Sequence, residues 1–202
     1  MDRCNPDVRL SVLQSDLGED MRHTTLALCV SVALALVVPV VVDAQTSGTP
    51  TWREYRPAGG RYRVEMPGTP VVKTDDIPTE DGRTVPQIQA IVEENDTVYA
   101  VAHTDYPPEL TRGMSPEEIF RSLRQGITQK RRLRRDSPLI ISGAPAREFI
   151  VVDRDGRAFI IRGVWWENRI FQIMIARNES ASSLDSRPET RRFFDSFSLV
   201  KP

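Results

Sequence analysis

The stretch "AFIIRGVWWENRIFQIMIA", residues 158–176, is the strongest constraint on how this chain can fold. Two runs rich in β-branched and aromatic residues flank Glu167-Asn168, the pattern of a hairpin closed by a two-residue turn. A symmetric register about that turn sets Trp165 against Ile170, Ile161 against Met174 and Phe159 against Ala176 on one side. Val164 with Phe171 and Ile160 with Ile175 fall on the other. Successive strand residues point to opposite faces, so a hairpin apolar at both parities has no face to give to water. It is predicted to be central in its sheet and covered on two sides.

The remaining elements follow from shorter signals. Tyr62, Val64 and Met66 alternate with Arg61, Arg63 and Glu65, the pattern of a strand with one buried face. Pro67-Gly68 then fits the centre of a type II turn, where proline presets φ and glycine takes the positive φ that follows. The two glycines before that strand, Gly59 and Gly60, do not read as a phosphate loop, because no helix start with Lys and Ser/Thr comes after them. The runs 86–94 and 97–106 flank Asn95-Asp96 and form a second hairpin, which Pro107-Pro108 ends. Asp155-Gly156 is a two-residue turn signal. Ser115-Pro116-Glu117-Glu118 is a capping box with proline at the first helical position, and Ile119, Phe120, Leu123 and Ile127 continue it at helical spacing. Pro188 opens a second helix through Phe193-Phe194, and "SFSLV" closes the chain as a strand. The reading is α+β: a mostly antiparallel β-sheet with two helices packed on it, in a single domain over 51–202.

Ahead of that domain the composition changes. Met21-Arg22-His23 precedes the apolar run 26–42, which ends in Val42-Asp43-Ala44 with small residues at the −3 and −1 positions. This reads as a secretory signal over 21–44, cut after Ala44 to leave Gln45 first, with 45–50 as a linker. The alternative is an uncleaved anchor over 24–42, slightly short of the ~20 residues a spanning helix needs. Either way the domain is expected outside the cytoplasm, periplasmic or secreted. Residues 1–20 carry Asp7, Asp16, Glu19 and Asp20, the wrong charge for the start of a signal, so Met21 is an alternative first residue. Both cysteines, Cys4 and Cys29, precede Ala44, and the domain must therefore be held by its core without disulfides.

Few residues suggest chemistry. His103 is the one histidine beyond Ala44 and shares a strand face with Tyr99 and Asp105. It is either a hydrogen-bonded strand histidine or the centre of a small hydrolase or metal site, although a metal needs about three ligands meeting in space. The acidic stretch 74–82 lacks the alternating ligands of a calcium loop and reads as a solvated hairpin loop. The densest charge is "KRRLRR", with Lys130, Arg131, Arg132, Arg134 and Arg135. It is either a solvated helix end or an anion-binding patch. No aromatic residues interleave it as single-stranded nucleic acid would require, so nucleic acid is not the expected partner. Trp165 and Trp166 lie on opposite faces of one strand, as core residues or as exposed contacts.

The order of elements, with "GGRYRVEMPGTP" (59–70), "YAVAHTDYP" (99–107) and "RRFFDSFSLV" (191–200), resembles the PsbP/Mog1-like group across residues 51–201. The resemblance implies that group's fold and a role as an accessory or binding subunit. It brings no catalytic, metal or cofactor residues to carry over. The resulting expectation is an exported, non-enzymatic binding or accessory module of the cell envelope, without cofactor, whose partner is an envelope protein or an anionic membrane surface. The alternative is the small enzyme centred on His103.

Overall fold

The computed structural model describes residues 50–201 apart from residue 80. The expectations for the signal, its cleavage between Ala44 and Gln45, the anchor, and nearly all of the linker lie outside the described residues. No helix among the described residues is long and apolar enough to cross a membrane.

Seven strands form one antiparallel sheet. In chain order they are β3 (Val71–Pro78), β4 (Thr84–Glu94), β5 (Thr97–Asp105), β6 (Arg132–Ile141), β7 (Ala144–Val152), β8 (Ala158–Trp166) and β9 (Arg169–Arg177). In space the order is β3-β4-β5-β9-β8-β7-β6. A smaller sheet sets β2 (Tyr62–Met66) between β1 (Arg53–Tyr55) and β10 (Ser198–Leu199). The β8–β9 pair is interior, and its register is the symmetric one, with Trp165 opposite Ile170 and Ile161 opposite Met174. Its turn places Glu167 and Asn168 at φ 50° and 60°, and Asn95-Asp96 takes the same left-handed pair at 47° and 61°.

Each face of the large sheet has its own core. On one, Tyr62, Val64 and Met66 of β2 cover Val101, Phe171, Ile173 and Ile160, together with Phe197 and two phenylalanines of a C-terminal helix, Phe193 and Phe194. On the other, a helix brings Ile119, Phe120, Leu123 and Ile127 against Phe149, Ile161, Ile170 and Met174. The second contact explains Gly163 inside a strand, where a Cβ would run into the Leu123 side chain.

Among the described residues the helices number four rather than two: α1 (Pro108–Thr111), α2 (Pro116–Thr128), α3 (Ala181–Ser186) and α4 (Pro188–Ser196). The extra pair are short turns beside the two that were expected. α1 follows Pro107, and α3 is capped by the Ser180 hydroxyl accepting from the Ser183 N–H. α2 begins as the sequence indicates. Ser115 Oγ accepts from the Glu118 N–H at 3.3 Å, and the Glu118 carboxylate accepts from the Ser115 N–H at 2.8 Å. The Ser115 N–H and the Ser115 hydroxyl, the latter at 2.9 Å, both donate to the Glu118 carboxylate and hold it below the usual carboxylate range. Ser115→Ala is expected to lower unfolding free energy by about 1 kcal/mol in urea denaturation, with no change in the slope of the transition.

Two local expectations change. Asp155-Gly156 is not a two-residue turn, because β7 ends at Val152 and β8 starts at Ala158. Asp153 organises this longer loop: its carboxylate accepts from the N–H groups of Asp155 and Arg157, at 3.0 and 2.9 Å, while Gly156 takes φ +88°. The acidic stretch is only partly loop. Asp75 and Asp76 lie on β3, and Asp81 in the turn is held by Arg83 at 2.7 Å.

Candidate binding surface

His103 sits on β5 with Tyr99 and Asp105 on the same face, but the three do not converge. The His103 ring lies 5.9 Å from that of Tyr62 and 6.3 Å from that of Phe171, and the residue is 5% exposed. It therefore offers no exposed contact, because β2 lays Tyr62 over it. Its Nδ1 has no hydrogen-bond partner among the described residues. Burial, helped by the nearby Arg169 charge and opposed by Asp105, pulls its pKa down to about 4 and keeps the ring neutral. Tyr99 is instead packed edge-on against Trp52 and Phe193. Asp105 is occupied by Arg169. No group of three His, Cys, Asp or Glu side chains is placed to hold a metal among the described residues.

Arg169 was not singled out by its sequence context. It is 8% exposed, donates to both Asp105 oxygens at 2.5 and 2.6 Å, and donates to the carbonyls of Gly59 and Gly60 at 2.9 and 2.7 Å. One guanidinium thus joins β9, β5 and the turn that leads into β2. Glu148 is a second unforeseen centre. It is buried on β7 and accepts from Arg135 at 2.6 Å and Arg162 at 2.8 Å.

Trp165 and Trp166 are both half-buried and belong to opposite cores, as their parity requires. The guanidinium of Arg61 lies over the Trp166 ring at 4.1 Å.

The basic run does not extend the helix. α2 ends at Thr128, whose hydroxyl donates back to the Arg124 carbonyl at 2.8 Å, and the chain enters edge strand β6 at Arg132. A bulge falls between Leu133 and Arg135. This geometry divides the cations. Arg131 lies over the Phe159 ring at 4.3 Å, and burial lowers its pKa. Arg135 is tied to Glu148 and to Asp185, the latter at 3.0 Å. Lys130, Arg132 and Arg134 are exposed and make no ion pair among the described residues. They form a corner at one end of the large sheet, whose lateral row runs Arg132, Val152, Ala158, Arg177, Thr97, Glu94 from β6 to β4.

With this geometry in place, the chain can be set beside known proteins. No family model matches it, and no curated protein matches it. Among solved structures it is similar to the solution structure of cyanobacterial PsbP (CyanoP) from Synechocystis sp. PCC 6803. That match has a TM-score of 0.46 at 12% identity and covers 79% of this chain and 98% of that one. It is also similar to a protein of unknown function, PA94, from Pseudomonas aeruginosa, with a TM-score of 0.31 at 14% identity over 66% of this chain and 86% of that one.

Proposed function

We propose that this chain is an exported, non-enzymatic binding or accessory module that meets an anionic surface of the cell envelope through Lys130, Arg132 and Arg134. The observation that carries the reading is the division of the basic run. Two of its cations are held by Phe159, Glu148 and Asp185, while three are exposed within five residues of one another, around the start of β6, without ion-pair partners among the described residues. The signal-like segment 21–44 supports the location, and the enclosure of His103 by Tyr62 and Phe171 favours binding over acid–base chemistry.

Each basic residue near an anionic membrane contributes about 1 kcal/mol, and the attraction fades within a Debye length of about 8 Å at physiological salt. Three such residues give reversible attachment that is weakened by salt. The expected result is co-sedimentation with vesicles containing phosphatidylglycerol but not with pure phosphatidylcholine, falling as salt is raised. Changing Lys130, Arg132 and Arg134 to Gln should abolish it without shifting the melting temperature. Equal sedimentation of wild type and triple variant at low salt would refute the proposal. Capture by an acidic envelope protein without vesicle binding would move the partner from lipid to protein.

A further inference from the structure

β3 closes one side of the seven-stranded sheet and has no strand on its outer flank among the described residues. The two edges of that sheet are protected differently. β6, the opposite edge, is broken by the bulge at Leu133 and carries Pro138 within its span, devices that keep another strand from adding on. β3 has neither. It keeps an unbroken register with β4 from Val71 to Pro78, and Val71 and Val72 are 63% and 53% exposed. An edge of this length, left open, is a template for pairing.

Which backbone groups face outward follows from the hairpin. The Thr79 N–H donates to the Arg83 carbonyl at 2.8 Å, so the mutually bonded pairs recur at every second residue from there: Ile77 with Val85, Asp75 with Gln87, Lys73 with Gln89. Val72, Thr74 and Asp76 lie between these pairs and turn their N–H and C=O groups away from β4. Pro70 and Pro78 share that parity, one at each end, where a missing N–H ends an outer ladder instead of interrupting it. Both prolines are equally far from Thr74.

This symmetry fits a second copy of the same strand. Laid antiparallel about a two-fold axis at Thr74, two β3 strands set Thr74 against Thr74 and Val72 against Asp76. Every outward N–H of both copies then finds a carbonyl, and the ladder stops where Pro70 meets Pro78. Lys73 of each copy faces Asp75 of the other, in the pairs without hydrogen bonds, where side chains come closest. Lys73 is exposed and has no ion pair among the described residues, while the half-buried Asp75 is held by the Gln89 amide, which donates to it at 2.6 Å. Moving the axis by one residue either way would set Lys73 against Lys73 or Asp75 against Asp75. Charge thus rejects both neighbouring registers.

We propose that the chain associates with a second copy of itself through β3, paired antiparallel about Thr74, to form one continuous sheet with the two β6 strands as its outer edges. The contact is short beside a standard interface, so the dimer is expected to exchange with monomer at micromolar concentration. It uses the edge opposite β6 and does not depend on the anionic-surface contact.

Sedimentation equilibrium of the purified protein over a range of concentrations tests this. A monomer–dimer equilibrium that weakens with added salt is expected. Thr74→Pro removes the central outward donor without taking a bond from β4, and should leave the protein monomeric with its melting temperature nearly unchanged. Lys73→Asp places like charges at both pairs and should weaken the dimer about tenfold. Adding Asp75→Lys to that variant reverses both ends of each pair and should recover most of the loss, which damage to the fold would not do. Melting temperatures of all variants serve as the folding control. Monomer at every concentration would overturn the proposal. So would a dimer that Thr74→Pro leaves intact, or a double variant that associates no better than Lys73→Asp alone.

Discussion

Arg169→Ala is expected to lower unfolding free energy by about 3–4 kcal/mol, a larger loss than any other single change to a charged side chain here. The cost is not mainly that of an unpaired carboxylate, because the Asp105 side chain is 61% exposed and water can replace its partner. It arises from the carbonyls of Gly59 and Gly60, which accept from this guanidinium, and from the largely enclosed space the side chain leaves between β9 and the 57–60 turn. Arg169→Lys should recover less than half of the loss, since one ammonium cannot reproduce a bidentate bond to Asp105 and two carbonyl bonds at once. Urea denaturation of the three proteins measures this. A difference below about 1 kcal/mol between wild type and Arg169→Ala would show that the turn is held by packing alone.

The second large effect is acid sensitivity traceable to His103. Unfolded, its imidazole takes a proton near 6.5; folded, it does so only at about 4. Between those values the unfolded chain binds more protons, so folding free energy is lost as pH falls. The contribution is fully present above about 6.5, declines through the window, and changes no further below about 4. Its size is roughly 3 kcal/mol at most. Carboxylates such as Asp105, held low by Arg169, also weaken the fold in acid, so wild type must be compared with His103→Gln. The stability gap between the two should shrink or reverse by roughly 2–3 kcal/mol between neutral pH and pH near 4. A gap independent of pH would show that the folded protein accepts the imidazolium without penalty.

The elements that were legible in the sequence are those whose signals are local. Glu167-Asn168 dictates the register of β8 and β9, and Ser115 to Glu118 dictates the start of α2, because each is decided within a few residues. What stayed hidden depends on pairing across long gaps. Asp105 and Arg169 face each other only after β5 and β9 pair, and nothing near either residue announces that pairing. The same holds for Gln87 and Gln89, polar yet 1% exposed, whose burial is made tolerable by Thr104 and Asp75 on neighbouring strands. The basic run was visible as charge. Its partition into held and exposed cations was not, since that depends on Phe159, Glu148 and Asp185, each supplied by a different element. The longer loop at Asp153 was missed because Asp-Gly is a strong turn signal. Here it is outweighed by a carboxylate two residues earlier that captures two N–H groups.

The position of β2 has a consequence for the order of events as the polypeptide is made. Tyr62 is among the first residues of the domain to be synthesised, yet its ring neighbours include Phe171 and Phe197, and its strand partner Leu199 comes almost last. An emerging chain can close the β4–β5 and β8–β9 hairpins as they appear, but the face that Tyr62 covers must wait for α4 and β10. Contacts of such long sequence separation slow folding and leave apolar surface open meanwhile. The interior of the domain therefore forms first, and its two terminal segments, β2 and β10, join last. Loss of residues 191–202 would leave β2 without its β10 partner and Tyr62 without the Phe197 ring stacked on it.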